Sequence, residues 1–182
     1  MSHSNTDSML AYWRSRRGVG PAPARADIDP AAFVKVMPQT FMLGREAAGD
    51  YRVRLAGSLI ESLHDDRLAG SDFLALWAEA DRTRVKAAIE SALLRGEAVL
   101  ARATGRTAQD RHADFELLLM PLVGPSGGID RLLGLYQPVT PLSVLKDESV
   151  ERLFLLQIGF VGPEDAKFRS LRLAAVDGRR IA

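Results

Sequence analysis

The sequence predicts an α+β fold in which helices pack against an antiparallel sheet. Three observations carry that expectation: two strand-like runs joined by a Gly-Asp turn, one long stretch whose apolar residues recur at helical spacing, and three further strand-like runs after it. Five strands in that order, interrupted by helices after the second, make a single sheet with a helical layer.

A short amphipathic helix is expected within the N-terminal stretch MSHSNTDSMLAYWRSRR. Thr6 or Asp7 supplies a cap, Met9, Leu10 and Trp13 share one side, and Arg14, Arg16 and Arg17 suit the negative end of the helix dipole. His3 precedes it in a stretch expected to lack regular structure. Leu10 and Trp13 have two uses, as a flap over their own domain or as a contact between two copies. Because Trp is enriched in interface cores, the homodimer contact is the expectation.

In GVGPAPARADIDP, Gly and Pro interrupt regular structure until Asp29 caps and Pro30 opens a second short helix over AAFVKVM. QTFMLGRE and DYRVRLAG then form a hairpin, with Gly49 and Asp50 supplying the turn. Tyr51, Val53 and Leu55 alternate with Arg52 and Arg54, so one face of this strand is expected to be buried. The tetrapeptide RLAG closes this strand at Gly57 and recurs at Arg67 to Gly70 as a turn. Neither RLAG nor GPSGG has the Lys-containing, Gly-rich pattern that cradles phosphate.

Helical patches follow in SLIESLHDDRLAGSDFLALW. The longest helix is expected from Ala78 to Arg95, with Val85, Ile89, Ala92 and Leu93 on its buried side and Gly96 as its stop. EAVLARATGRT, HADFELLLMPLVG and DRLLGLYQPVT complete the five strands, with turns at TAQDR and GPSGGID. Three regions result: an N-terminal helix and linker over 1–29, a core over 30–141 and a C-terminal extension over 142–182. The extension ends in KFRSLRLAAVDGRRIA, where Phe168, Leu171 and Leu173 alternate. A helix with a terminal strand and a tail that orders on a partner both fit it. Arg169, Arg172, Arg179 and Arg180 read as a solvated surface, because the aromatic interleaving of single-strand binders is sparse there.

A length of 182 residues suits one domain. The balance of 24 Lys and Arg against 23 Asp and Glu leaves no basic field, so neither nucleic acid nor an anionic membrane is expected as a partner. The absence of cysteine removes disulfides, thiolate nucleophiles and zinc-thiolate sites. The polar N-terminus lacks a signal-peptide pattern, and the most apolar run, Leu117 to Gly124, is short and broken by Pro121. A cytoplasmic setting is the expectation.

Taken in order, LAYWRSRRG, PARADIDP, MPQTFMLGRE, YRVRLAGSLI, RLAGSDFLALW and LLLMPLVGPSGGIDRLLGLYQP resemble the PAS_5 subgroup of bacterial PAS domains, common in alphaproteobacteria. The resemblance covers about the first three quarters of the chain, the size of one domain. It implies a PAS-like five-stranded antiparallel sheet with helices on one face, a non-enzymatic sensor or adaptor role in signalling, and output through a separate signalling protein. It also implies a small-molecule ligand of unknown identity between sheet and helices, or dimerisation. A cysteinyl-flavin adduct and the yellow-protein chromophore both need a cysteine and are excluded. Haem is disfavoured, because the helix from Ala78 to Arg95 carries no histidine for an axial ligand.

Met42, Val53, Arg54, Leu55, Phe73, Trp77, Leu117 and Tyr136 are the candidate ligand-binding residues, with Leu119 beside them. The apolar members suit either a cavity wall or core packing. Arg54 suits a structural ion pair or a carboxylate-bearing ligand. His64, with Asp65 or Asp66, could serve as a general base in a small α+β enzyme. Adjacent residues rarely converge on one target, so a solvated turn is the expected role for this cluster. No catalytic residue and no metal ligand is assigned. A purely structural adaptor, with its own side chains filling the cavity, is the remaining alternative.

Overall fold

The computed structural model describes residues 2–47, 49–161 and 168–170. Helix α1 (Ser4–Arg16) begins earlier than the sequence predicts, because His3 Nδ1 accepts a 3.1 Å hydrogen bond from the Asn5 N–H. His3 is therefore the cap rather than part of an irregular start, and Thr6 lies inside the helix. Asp29 caps the next segment as expected, accepting from the Ala31 N–H at 2.9 Å. That segment, Pro30–Gln39, is a 3-10 stretch interrupted at Phe33 rather than a regular α-helix. Pro38 removes a donor, and the branched Val34 and Val36 lower helix propensity.

Strands β1 (Thr40–Ala47) and β2 (Asp50–Ala56) form the expected hairpin, with Gly49 at φ +80° in its turn. Helix α2 (Ser58–His64) starts at Gly57, and helix α3 (Glu79–Arg95) ends at Gly96, whose φ of +65° allows its N–H to reach the Ala92 carbonyl. The predicted buried side of α3 is correct. Val85, Ile89, Ala92 and Leu93 are buried together with Ala88, and the small Ala88 and Ala92 let the helix lie close to the sheet. Strands β3 (Val99–Arg106), β4 (His112–Val123) and β5 (Ile129–Pro138) follow.

The sheet is antiparallel and larger than predicted. Its order is β2-β1-β5-β4-β3-β6-β7, adding a sixth full strand, β6 (Arg152–Val161), and a short seventh, β7 (Phe168–Ser170), to the expected five. Strand β6 comes from the C-terminal extension and pairs with β3. Its alternation of exposed and buried residues breaks where the register shifts opposite Arg102 and Ala103, which disguises the strand in the sequence. Leu171, Leu173, Arg172, Arg179 and Arg180 lie outside the described residues.

Strand β2, at one margin, and the part of β6 beyond its pairing with β7 are partly covered from within the chain. Val53 of β2 donates to the Ser71 carbonyl at 3.0 Å and accepts from the Gly70 N–H at 2.7 Å. On β6, the Leu153 carbonyl accepts from the Ala78 N–H at 2.9 Å, and the Leu155 N–H donates to the Asp81 carboxylate at 2.9 Å. Strand β7 pairs with the far end of β6.

Helices on one face only was the expectation, yet both faces are covered. Phe115, Leu117 and Leu119 of β4 join the core beneath α2 and α3, while Leu118, Met120 and Leu122 join a second core with Met9, Leu10 and Trp13 of α1. Burial on both faces explains the nearly unbroken apolar run of β4. Pro121 is accommodated because β3 pairs with β4 only as far as Leu119, leaving no ladder with β3 at the proline.

The position of α1 corrects the expected use of Leu10 and Trp13. Both are buried against the chain's own sheet, so neither is presented to a second copy. The Trp13 indole donates to the Pro121 carbonyl at 2.8 Å. Asn5 donates to Gln137 at 2.9 Å, and the carboxylate of Glu116, only 3% exposed, accepts from the Thr6 hydroxyl at 2.8 Å and the His3 N–H at 2.9 Å. Arg102 on β3 supplies the countercharge at 3.3 Å. A carboxylate this deep requires such partners, and here they fasten the first turn of α1 to the middle of the sheet.

Candidate functional site

The layer between the sheet and α2, α3 and the 3-10 segment Phe73–Leu76 is lined by aromatic rings. Phe41 stacks on Phe73 with centroids 5.4 Å apart, Trp77 meets the Phe73 ring at 6.1 Å, and Phe115 meets Tyr136 at 4.8 Å. Alternation on β4 and β5 turns Leu117 and Tyr136 inward, and the loop before α3 delivers Phe73 and Trp77 from above. The Trp77 indole nitrogen, on a residue with no exposed surface, has no hydrogen-bond partner, whereas the equally buried Tyr51 phenol lies against the Glu90 carboxylate. A buried donor is costly to leave unpaired and marks a place where a ligand or ordered water would be stabilised.

His64 joins this layer at the end of α2. Its Nδ1 lies 2.8 Å from the Val150 carbonyl and its Nε2 lies 3.3 Å from the Tyr136 hydroxyl. A carbonyl only accepts, so Nδ1 carries the proton and Nε2 accepts from Tyr136. Burial lowers the His64 pKa below the usual imidazole value, outweighing the Val150 hydrogen bond and the Asp66 charge, which raise it. Burial raises the Tyr136 phenol well above its usual value. The Tyr51 phenol is pushed up to about 12, by burial first and by the Glu90 carboxylate second, against a lowering by Arg45.

The solvated-turn expectation for His64 is therefore corrected, although Asp65 and Asp66 are exposed. His64 and Asp66 do share a surface cleft of about 430 Å³ with Ser149, Glu151 and Arg152. Neither imidazole nitrogen is open toward that cleft, because each is held by Val150 or Tyr136, and this geometry does not favour a general base.

The structure brings Val53, Phe73, Trp77, Leu117, Leu119 and Tyr136 together in one core. Met42 is separated from them, since it faces the α1 side. Leu55 is 46% exposed, and Arg54 is half-exposed and paired with Glu46. The cause is a bulge in the β1–β2 ladder: Met42 pairs with Leu55 and Leu43 with Val53, leaving Arg54 as the extra residue that reverses the alternation. His64 and Tyr51 belong to the layer but were not among its predicted lining. The alternation of Tyr51 with Val53 is a sequence signal for the tyrosine, whereas His64 gave none, because its partners Tyr136 and Val150 lie far along the chain.

The family model PAS_5, described as PAS domain, matches residues 1–137. Among solved structures, the Rhodobacter sphaeroides LOV protein is similar at 19% identity, covering 62% of this chain and 69% of that one with a TM-score of 0.45. The dark structure of the blue-light photoreceptor Aureochrome1 LOV is 14% identical, with coverage of 64% and 87% and a TM-score of 0.47. A PAS domain from Colwellia psychrerythraea is 13% identical, with coverage of 59% and 93% and a TM-score of 0.45. No curated protein matches this chain.

Proposed function

Because the chain belongs to the PAS domain family, matched over residues 1–137, we propose that it is a non-enzymatic sensor that holds a small ligand between its sheet and helices and signals through a separate protein. The observation that carries this reading is the unpartnered, fully buried Trp77 Nε1 within an aromatic layer. An indole N–H donates, so a largely apolar ligand with one hydrogen-bond acceptor suits the layer.

In this reading the ligand binds one arrangement of the helices over the sheet more tightly than another and shifts the population toward it. Strands β4 and β5 carry the change outward, since the same strands bear Leu117 and Tyr136 inside and Glu116 and Gln137 beneath α1. The protein acts as a homodimer in the cytoplasm, with its contact surface elsewhere than Leu10 and Trp13. Among the described residues, no helix is long and apolar enough to cross a membrane.

Native mass spectrometry of freshly purified protein, repeated after denaturation, tests both parts of the proposal. A dimer mass with an added component that is lost on denaturation is the expected result. The bare mass of the chain would overturn ligand binding, and a monomer would overturn the dimer.

A further inference from the structure

A second cleft, of about 490 Å³, opens at the end of the sheet where the β1–β2 hairpin meets the C-terminal half of α3, and is lined by Arg45, Glu90, Leu93, Leu94 and Ile129. Arg45 and Tyr51 are cross-strand partners, so their side chains rise from neighbouring positions on the face that α3 covers. Glu90 comes down on them from α3. Leu93 and Leu94 follow three and four residues later, which puts them beside Glu90 on the helix surface.

Among the described residues, neither Arg45 nor Glu90 forms an ion pair, and both are exposed. Lys86, one turn before Glu90, extends over Gly49 in the hairpin turn instead of pairing with it. The fully buried Tyr51 phenol lies against the Glu90 carboxylate. Leu94 is 86% exposed, an uncovered apolar surface next to a cation and an anion.

We propose that this cleft binds a free α-amino acid with an apolar side chain. A guanidinium recognises a carboxylate in a planar, two-bonded fashion, which assigns the ligand carboxylate to Arg45. The ligand ammonium goes to Glu90, where the negative end of the α3 dipole adds to the attraction. Leu93, Leu94 and Ile129 receive the side chain. This site lies apart from the Trp77 and Tyr136 layer and does not rest on a ligand being held there.

The test is a titration of the full chain with L-leucine followed by amide NMR. Saturable shifts confined to residues 45, 51, 90, 93, 94 and 129 are expected. Arg45→Gln and Glu90→Gln, both at exposed positions that leave the fold intact, should each weaken binding about tenfold or more, as should 4-methylpentanoate and isoamylamine, which lack one of the two charges. Absence of saturation at millimolar leucine, or equal affinity in both variants, would overturn the proposal. Shifts centred on Trp77 and Tyr136 would also overturn it, while supporting a ligand in the layer between sheet and helices. Loss of leucine binding with an added mass still seen in native mass spectrometry would sink this site alone.

Discussion

The Thr6 hydroxyl donates to the buried carboxylate of Glu116 across 2.8 Å, joining the first turn of α1 to the central strand β4. The helix is thus held at a polar point as well as by its apolar side. Replacing Glu116 with Gln keeps the shape but removes the charge that Arg102 and the His3 N–H both meet. Destabilisation of about 1–3 kcal/mol is expected, measured by urea unfolding. In a Trp77→Phe background, the fluorescence of Trp13 and the global helix signal should report whether α1 leaves before the sheet unfolds, and coincident transitions would show that it does not detach separately.

Glycine at position 134 is required by packing. A Cβ there would enter the ring of Phe41, which crosses β5 at that point. Gly134→Ala should cost about 1–3 kcal/mol, the usual penalty of overpacking. Denaturant midpoints of the variant and the parent measure it, and an unchanged midpoint would mean that Phe41 can swing away freely.

His64 makes stability depend on pH. Its pKa is lowered in the fold from the ordinary value of 6.5, so above that value both folded and unfolded chains are neutral at this site and its full contribution is present. As pH falls below 6.5 the unfolded chain takes up the proton first, and stability is lost progressively until the folded imidazole is protonated as well. Protonation also places an N–H opposite the Tyr136 hydroxyl, which must then find a different acceptor for its own proton. The melting temperature should therefore drop between about pH 7.5 and about pH 5.5. His64→Gln should flatten that drop, and an equal drop in the variant would assign it to other groups.

Arg54 should matter little to stability. Its partner Glu46 and the guanidinium are both about half exposed, so Arg54→Ala is expected to cost less than about 1 kcal/mol in thermal unfolding. A larger loss would show that the bulge between β1 and β2 depends on this pair.

Local periodicity was enough to place the hairpin, α3 with its stop at Gly96, and strands β3 to β5, because each of these elements buries residues at its own regular spacing. Features that depend on distant partners were hidden. The bulge that turns out Leu55 is defined by pairing with β1, and the irregular pattern of β6 becomes a strand only against β3. Trp13 was recognised as an apolar side chain, but its destination is set by the carbonyl of Pro121, 108 residues away. The burial of His64 likewise depends on Tyr136 and Val150. Glu116 did leave a trace, a lone acid in the apolar run of β4, although nothing local identifies Thr6 as its partner.

The internal caps on β2 and β6 restrict how another protein can be recruited. At Val53, Leu153 and Leu155 the outward backbone groups are already bonded within the chain, so an extended peptide cannot be zipped onto the sheet there without displacing Gly70–Ser71 or the Ala78–Asp81 turn. Recognition at those margins must read side chains instead of the sequence-blind backbone. Partner choice there can consequently change by single surface substitutions, while the capped stretches themselves remain guarded against indiscriminate self-association.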